Sequence, residues 1–313
     1  MSAFFWRVLI LGLTAALAIL AGCGDDDDDD DGGGSLNVVA SLPIFADMAQ
    51  NVAGERADVA ALLPAGTDPH TFEPAPGDVR KVADADVIFA NGLNLEPAAL
   101  DVIETNMADD AVFVELGPAA VDAGTAIIPS EDDPEGNPHL WMDPTVGRVY
   151  AEIIRDALVE ADPDGGDVYN ENFDAYAALL DETGDYMSDT VSSVAEEHRL
   201  LVSTHDAFDY LAQALGFEVA GFVAPSPGQE PSPQDIADLI ETIQSAGGGG
   251  IPAVFSEPQT DEEARTLEQI ADDAGVEVCT LYSDAFDEDV RTYVDLLRFD
   301  AEEIARCLGG AGG

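Results

Sequence analysis

The sequence predicts an α/β fold of two lobes with mostly parallel sheets, joined by a long helix. Three observations predict it. From residue 36 onward, short apolar runs alternate with amphipathic stretches, the pattern that builds parallel sheets flanked by helices. Midway, one helical pattern continues for about 30 residues, or about 45 Å at 1.5 Å per residue. After it the alternation starts again.

Taken in order, "LNVVAS" (36–41) reads as a strand and 44–52 as a helix. "DVAALLP" (58–64) reads as a strand ending at the Gly66 turn, and helix signals follow at 76–82. "ADVIFANG" is strand-like, "EPAALDVIETN" helical and "AVFVELG" strand-like. "PSEDDPEGNP" (129–138) is an acidic loop, and 144–160 is a helix. After the break "ADPDGGD", Phe173, Tyr176, Leu180, Met187, Val191 and Val194 fall on one face of the long helix, expected at about 167–197. The second round runs "RLLVSTH" strand, "DAFDYLAQALG" helix, "FEVAGFV" strand and "PSPQDIADLIETIQSAG" helix. It closes with "IPAVFSE" strand, "TDEEARTLEQIADDAG" helix, "VEVCTLY" strand and a last helix over about 287–308. The expected divisions are 36–165 and 199–313 for the lobes and 166–198 for the linking helix.

The chain has 313 residues, 64 of them acidic and 11 basic, and a net charge of −53. Lys81 is the only lysine. Such a balance excludes nucleic-acid binding and polybasic membrane contact, which need a cationic face. It fits a surface kept soluble at high salt, with a potential that attracts cations. Residues 1–23 have one basic residue, an apolar run and then Leu20-Ala21-Gly22-Cys23, the layout of a secretory signal. The last four residues resemble the lipobox of bacterial lipoproteins, which implies lipid on Cys23 and an extracytoplasmic protein anchored to the cell membrane. The alternative is an uncleaved membrane anchor. The aspartate run Asp25–Asp31 and the glycines around it (24–35) read as an extended tether. Cys279 and Cys307 are either a disulfide, as an oxidising compartment favours, or two buried thiols.

The chemistry lies in the histidines, of which there are four. His70 follows a strand in "GTDPHTFEP", His139 follows the acidic loop in "NPHLWMDP", and His205 closes the strand "RLLVSTH". Asp284 follows a strand in "LYSDAF". Sites in open α/β sheets gather beyond the carboxyl ends of strands, so two candidates from each lobe are expected to converge in the cleft. His198, among charges in "AEEHR", reads as a solvated helix-end residue. Three imidazoles and one carboxylate suit zinc and fill a tetrahedron, whereas catalytic zinc keeps a position open for water. Asp68, Glu73, Asp143 and Glu257 are candidates to hold the second ring nitrogen of a ligand, or else to cap helices and shape turns. HExxH, a nucleophile elbow and a phosphate-binding glycine loop are all absent.

"GTDPHTFEP", "NPHLWMDP", "STHDAFDYLAQALGF", "GQEPSPQDIADLIETI" and "LYSDAF" resemble, in order, the motifs of the metal-binding lipoproteins of zinc and manganese ABC importers, the cluster A-I, ZnuA/TroA-type solute-binding proteins. The resemblance runs from about Leu36 to Leu308. It implies two α/β lobes, a rigid linking helix, and metal held between the lobes by His70, His139, His205 and Asp284. It implies a membrane permease and a separate ATPase as partners, a monomer, and no catalysis. A histidine at the third position resembles the zinc-type members. The acidic loop without histidine departs from many of them and keeps Mn2+ or iron open. The rivals from other classes are a three-histidine zinc hydrolase and a metal-scavenging adhesin.

Overall fold

The structure is a computed structural model that describes residues 35–130 and 134–309. The expected signal, Cys23, all of the tether before Ser35, and Glu131, Asp132 and Asp133 of the acidic loop lie outside the described residues. The first half contains β1 (Leu36–Ala40), α1 (Pro43–Ala53), β2 (Ala57–Ala61), α2 (Pro76–Ala83), β3 (Val87–Ala90), α3 (Pro97–Asn106), β4 (Val112–Glu115), α4 (Leu116–Asp122) and α5 (Pro144–Ala161). The linking helix is α6 (Gly166–Val191). The second half contains β5 (Leu200–His205), α7 (Asp209–Leu215), β6 (Glu218–Ala224), α8 (Pro233–Ser245), β7 (Ala253–Ser256), α9 (Asp261–Ala274), β8 (Glu277–Thr280) and α10 (Tyr293–Gly309).

Both sheets are parallel and share one topology, β2-β1-β3-β4 and β6-β5-β7-β8. In each, the first strand has the second on one side and the third on the other, which opens a crevice at the carboxyl ends where the order switches. Helices cover both faces, so a central strand such as β3, "VIFA", is apolar throughout and buried at every residue. Proline at the first turn starts α1, α2, α3, α5 and α8, where its missing N–H costs no bond. Ser232 and Asp235 add a reciprocal capping box to α8.

The linking helix has 26 residues, about 39 Å, and stops short of the expected 197. Beyond Val191, the Ser192 hydroxyl donates to the Asp189 carbonyl (2.6 Å), a local bond that competes with helix continuation. His198 ends a short 3-10 turn, Glu196–His198, after the break. α6 packs on α5 and α10 through Tyr169, Phe173, Tyr176, Leu180 and Met187. The last helix begins at Tyr293 rather than near 287, because the Asp287 side chain accepts from the backbone N–H of Asp289 and Val290 and holds a turn there. α4 was not expected; it starts directly at the end of β4, inside the apolar run "AVFVELG".

One continuous core joins the first sheet, α1, α5, α6, α10 and the inner side of the second sheet. A smaller core, with Val202, Val254, Leu267 and Ile270, fills the outer side of the second sheet. α10 locks onto the first half. Asp47 accepts from the Tyr293 N–H (2.9 Å), and the Tyr293 hydroxyl donates to the Trp141 carbonyl. Gly147 on α5 permits this approach, since a Cβ there would collide with the Tyr293 ring. A Cys279–Cys307 disulfide ties β8 to α10, the former of the two states left open by the sequence. Among the described residues no helix is long and apolar enough to cross a membrane.

Candidate metal centre

His205 is the last residue of β5, the central strand of the second sheet, and is fully buried. Asp284 stands in the loop beyond β8, also fully buried. His139 immediately precedes a 3-10 turn, Leu140–Met142, whose Trp141 is buried in the core and packs edge-on against Phe45. His70 lies in the turn after β2 and is the least buried of the four. Asp68 shapes that turn, accepting from the His70 N–H (3.1 Å) and the Thr71 hydroxyl.

The structure brings these four side chains together. One donor atom from each lies within 4.8 Å of all the others. His139 Nε2 and His205 Nε2 are 3.3 Å apart, His139 Nε2 and Asp284 Oδ1 3.4 Å, and His205 Nε2 and Asp284 Oδ2 3.3 Å. The edge of a tetrahedron built on bonds of about 2.0–2.1 Å is roughly 3.3 Å, so the two imidazoles, and each imidazole with one oxygen of Asp284, already sit at the spacing a small dication demands. Neither Asp284 oxygen has a hydrogen-bond partner, although both are buried. A buried carboxylate left this way is costly, and a shared cation would satisfy it. A cleft of about 180 Å³ opens beside His70 and His139, lined also by Asn137, Asp206, Pro225 and Gln229.

Two of the rings are aimed by their second nitrogen. His139 Nδ1 donates to Asn137 Oδ1 (2.9 Å), and His205 Nδ1 donates to Glu257 Oε1 (3.0 Å). Each Nε2 therefore faces the cluster. Glu257 follows β7, the neighbour of β5, and is itself held by the hydroxyls of Thr204 and Ser283 and by Gln259 Nε2. The other three candidate supports do different things. Asp68 shapes the turn, Asp143 caps α5 through the Thr145 N–H (2.7 Å), and Glu73 is exposed. Asn137 was missed by the sequence reading. Its signal was available, because asparagine commonly bonds the backbone two residues on, and Asn137 accepts from the His139 N–H (3.0 Å).

Burial alone would lower the His205 imidazole, but the Glu257 and Asp284 carboxylates around it hold it well above its ordinary value. Burial pushes His139 well below its ordinary value, with Asp284 opposing only in part. Burial would raise Asp284, yet the neighbouring imidazoles of His139 and His205 hold it below the usual carboxylate range. Burial also pushes Asp68 up to about 6, against the pull of the Thr71 hydroxyl. A proton on His205 Nε2, which faces Asp284 Oδ2 at 3.3 Å, would take the place of a cation.

The family described as ZnuA, zinc-uptake complex component A, periplasmic, matches residues 38–307. The manganese-binding lipoprotein MntA of Halalkalibacterium halodurans is 33% identical over 310 residues, 97% of this chain and 98% of the relative. The iron-binding protein YfeA of Yersinia pestis is 32% identical over 279 residues, 87% of this chain and 86% of the relative. Among solved structures, the periplasmic zinc-binding protein TroA of Treponema pallidum superposes with a TM-score of 0.80 at 27% identity, covering 88% of this chain and 99% of that one.

Proposed function

The chain belongs to the ZnuA family of zinc-uptake components, and from that premise we propose that it is the extracytoplasmic substrate-binding protein of a metal ABC importer. It captures a divalent metal with His70, His139, His205 and Asp284 and hands it to a membrane permease that an ATPase drives. Residues 36–165 and 199–313 act as the two lobes, and Cys23 carries the lipid anchor. The observation that carries this reading is the set of four converging donors, three of them buried and one of these a carboxylate with no hydrogen-bond partner. Four protein donors fill a tetrahedron and leave no position for an attacking water, which supports a binder over a hydrolase. The relatives are binding proteins, and this chain is no enzyme. An adhesin finds no support in these likenesses.

Zinc is the metal proposed. Three imidazoles suit it better than Mn2+, and the donor spacings of 3.3–3.4 Å match a tetrahedron of its size. Manganese is the second reading, because the MntA relative is named for it. Native mass spectrometry after loading with equimolar Zn2+ and Mn2+ decides between them. Retention of one zinc ion per chain is expected, and retention of manganese would overturn the zinc assignment. His70→Ala that still held zinc at full stoichiometry would sink the site itself.

A further inference from the structure

The Asn137 side chain is 1% exposed, and both ends of its amide are used. Its Oδ1 accepts from the His139 backbone N–H (3.0 Å) and from the His139 ring at Nδ1 (2.9 Å). Its Nδ2 donates to the Asp206 carbonyl (3.1 Å), Asp206 Oδ1 (3.3 Å) and Asp209 Oδ2 (3.2 Å). Asp206 directly follows His205, and Asp209 is the first residue of α7. One amide therefore touches a proposed ligand of the first half and the segment that carries a proposed ligand of the second. Tyr210 brackets the same contact, its hydroxyl donating to the Asn137 carbonyl (3.2 Å) and accepting from the Ile128 N–H (2.9 Å). Asn137 and Asp206 both line the cleft beside His70 and His139. On the other side of His139, the halves are joined independently, by Trp141 Nε1–H donating to the Ser283 carbonyl (3.1 Å).

We infer that Asn137 is a positioning residue that makes the metal-binding form of His139 conditional on the docking of the two halves. The acceptor oxygens of Asp206 and Asp209 on one side and the His139 backbone N–H on the other set the amide with its NH2 end toward the two aspartates and its oxygen toward His139. That oxygen holds the imidazole proton on Nδ1 and leaves the Nε2 lone pair for the ion. When the second half moves away on the cleft side, the amide loses every acceptor of its NH2 end and keeps only the His139 N–H on its oxygen. The Nδ1 hydrogen bond is then held from one side only, and the ring can turn or move its proton to Nε2, a tautomer that cannot bind a cation. Opening the cleft thus disarms one ligand as it exposes the site, and release is coupled to separation of the halves. The inference rests on the proposed metal-binding reading.

The test uses zinc ions and the full chain, with release followed by stopped-flow into excess chelator. Asn137→Asp keeps an acceptor toward His139 but sets a carboxylate against Asp206 and Asp209. It is expected to release zinc at least about tenfold faster. Asn137→Asp with Asp209→Asn restores a donor–acceptor pair with the roles exchanged, and is expected to recover most of that loss. Asp209→Ala leaves Asn137 in place and serves if the first variant does not fold; it is expected to release faster than wild type. Nitrogen-15 NMR of the histidines supplies a readout that mere destabilisation would not move. The His139 proton should sit on Nδ1 in the wild type and shift toward Nε2 in Asp209→Ala. Effects of the two changes that multiply to within about twofold, with no rescue, or an unchanged tautomer, would overturn the inference. Failure of the wild type to bind zinc at all would instead overturn the reading on which it rests.

Discussion

At the scale of single residues, the centre is a competition between a proton and a cation for one place. His205 keeps its proton above the ordinary imidazole value of about 6.5 because Glu257 and Asp284 face it, while His139 is already neutral. With His205 as a proposed ligand, metal has to displace that proton. Affinity should therefore rise about tenfold per pH unit up to the raised His205 value and level off above it. Titration calorimetry in buffers of different ionisation heat should show about one proton released from His205 per metal bound at pH 7. A release that vanished between pH 6.5 and 7.5 would mean that the two carboxylates do not hold it. The other residue-level test is Glu257, which lies 3.0 Å from His205 Nδ1 and is fixed by two hydroxyls. Glu257→Gln keeps the size and one acceptor but loses the charge, and should weaken metal binding about 10–100-fold. An unchanged affinity would show that orientation alone suffices. Sequence proximity cannot find Glu257 on its own, since it lies 52 residues from His205 and meets it only because β7 pairs with β5.

At the scale of elements, the strands and most helices are legible because their periods are local. Strand runs buried on both faces, prolines at helix starts and the one-sided apolar stripe of α6 all speak within a few residues. The misjudged limits have side-chain causes, Ser192 at the end of α6 and Asp287 ahead of α10. α10 matters most for the site, because it underlies the loop carrying Asp284. Asp300 on it accepts from the Tyr282 N–H (2.9 Å), and the disulfide clamps it to β8 across a separation of 28 residues. Closing a loop of that size removes denatured-chain entropy equivalent to about 3–4 kcal/mol. Cys279→Ser with Cys307→Ser should lower the unfolding free energy by about that amount in denaturant titration. A loss under about 1 kcal/mol would indicate that packing of α10 alone holds the loop.

At the scale of the whole molecule, charge decides solubility and salt response. With 64 acidic residues against 11 basic ones, repulsion outnumbers attraction, and exposed pairs such as Arg306 with Glu277 and Glu303 contribute little. Raising NaCl from about 0.1 M to about 1 M shortens the screening length from about 10 Å to about 3 Å. The melting temperature should rise by several degrees over that range, and a fall would show that ion pairs dominate. The fold class, the order of elements and the four donor residues can be argued from the sequence by itself. Alternation of strand and helix implies parallel sheets, and parallel sheets place their functional loops at one end. Which neighbours aim those donors is a tertiary matter. Asp68, Glu73 and Asp143 stand near ligands in the chain yet serve the turn, the surface and a helix cap, whereas Glu257 and Asn137 hold the rings. The physical reason is that chain proximity does not tell which side chain turns toward a ring: Asn137 does so from two residues away, and Glu257 reaches His205 only because β7 packs beside β5.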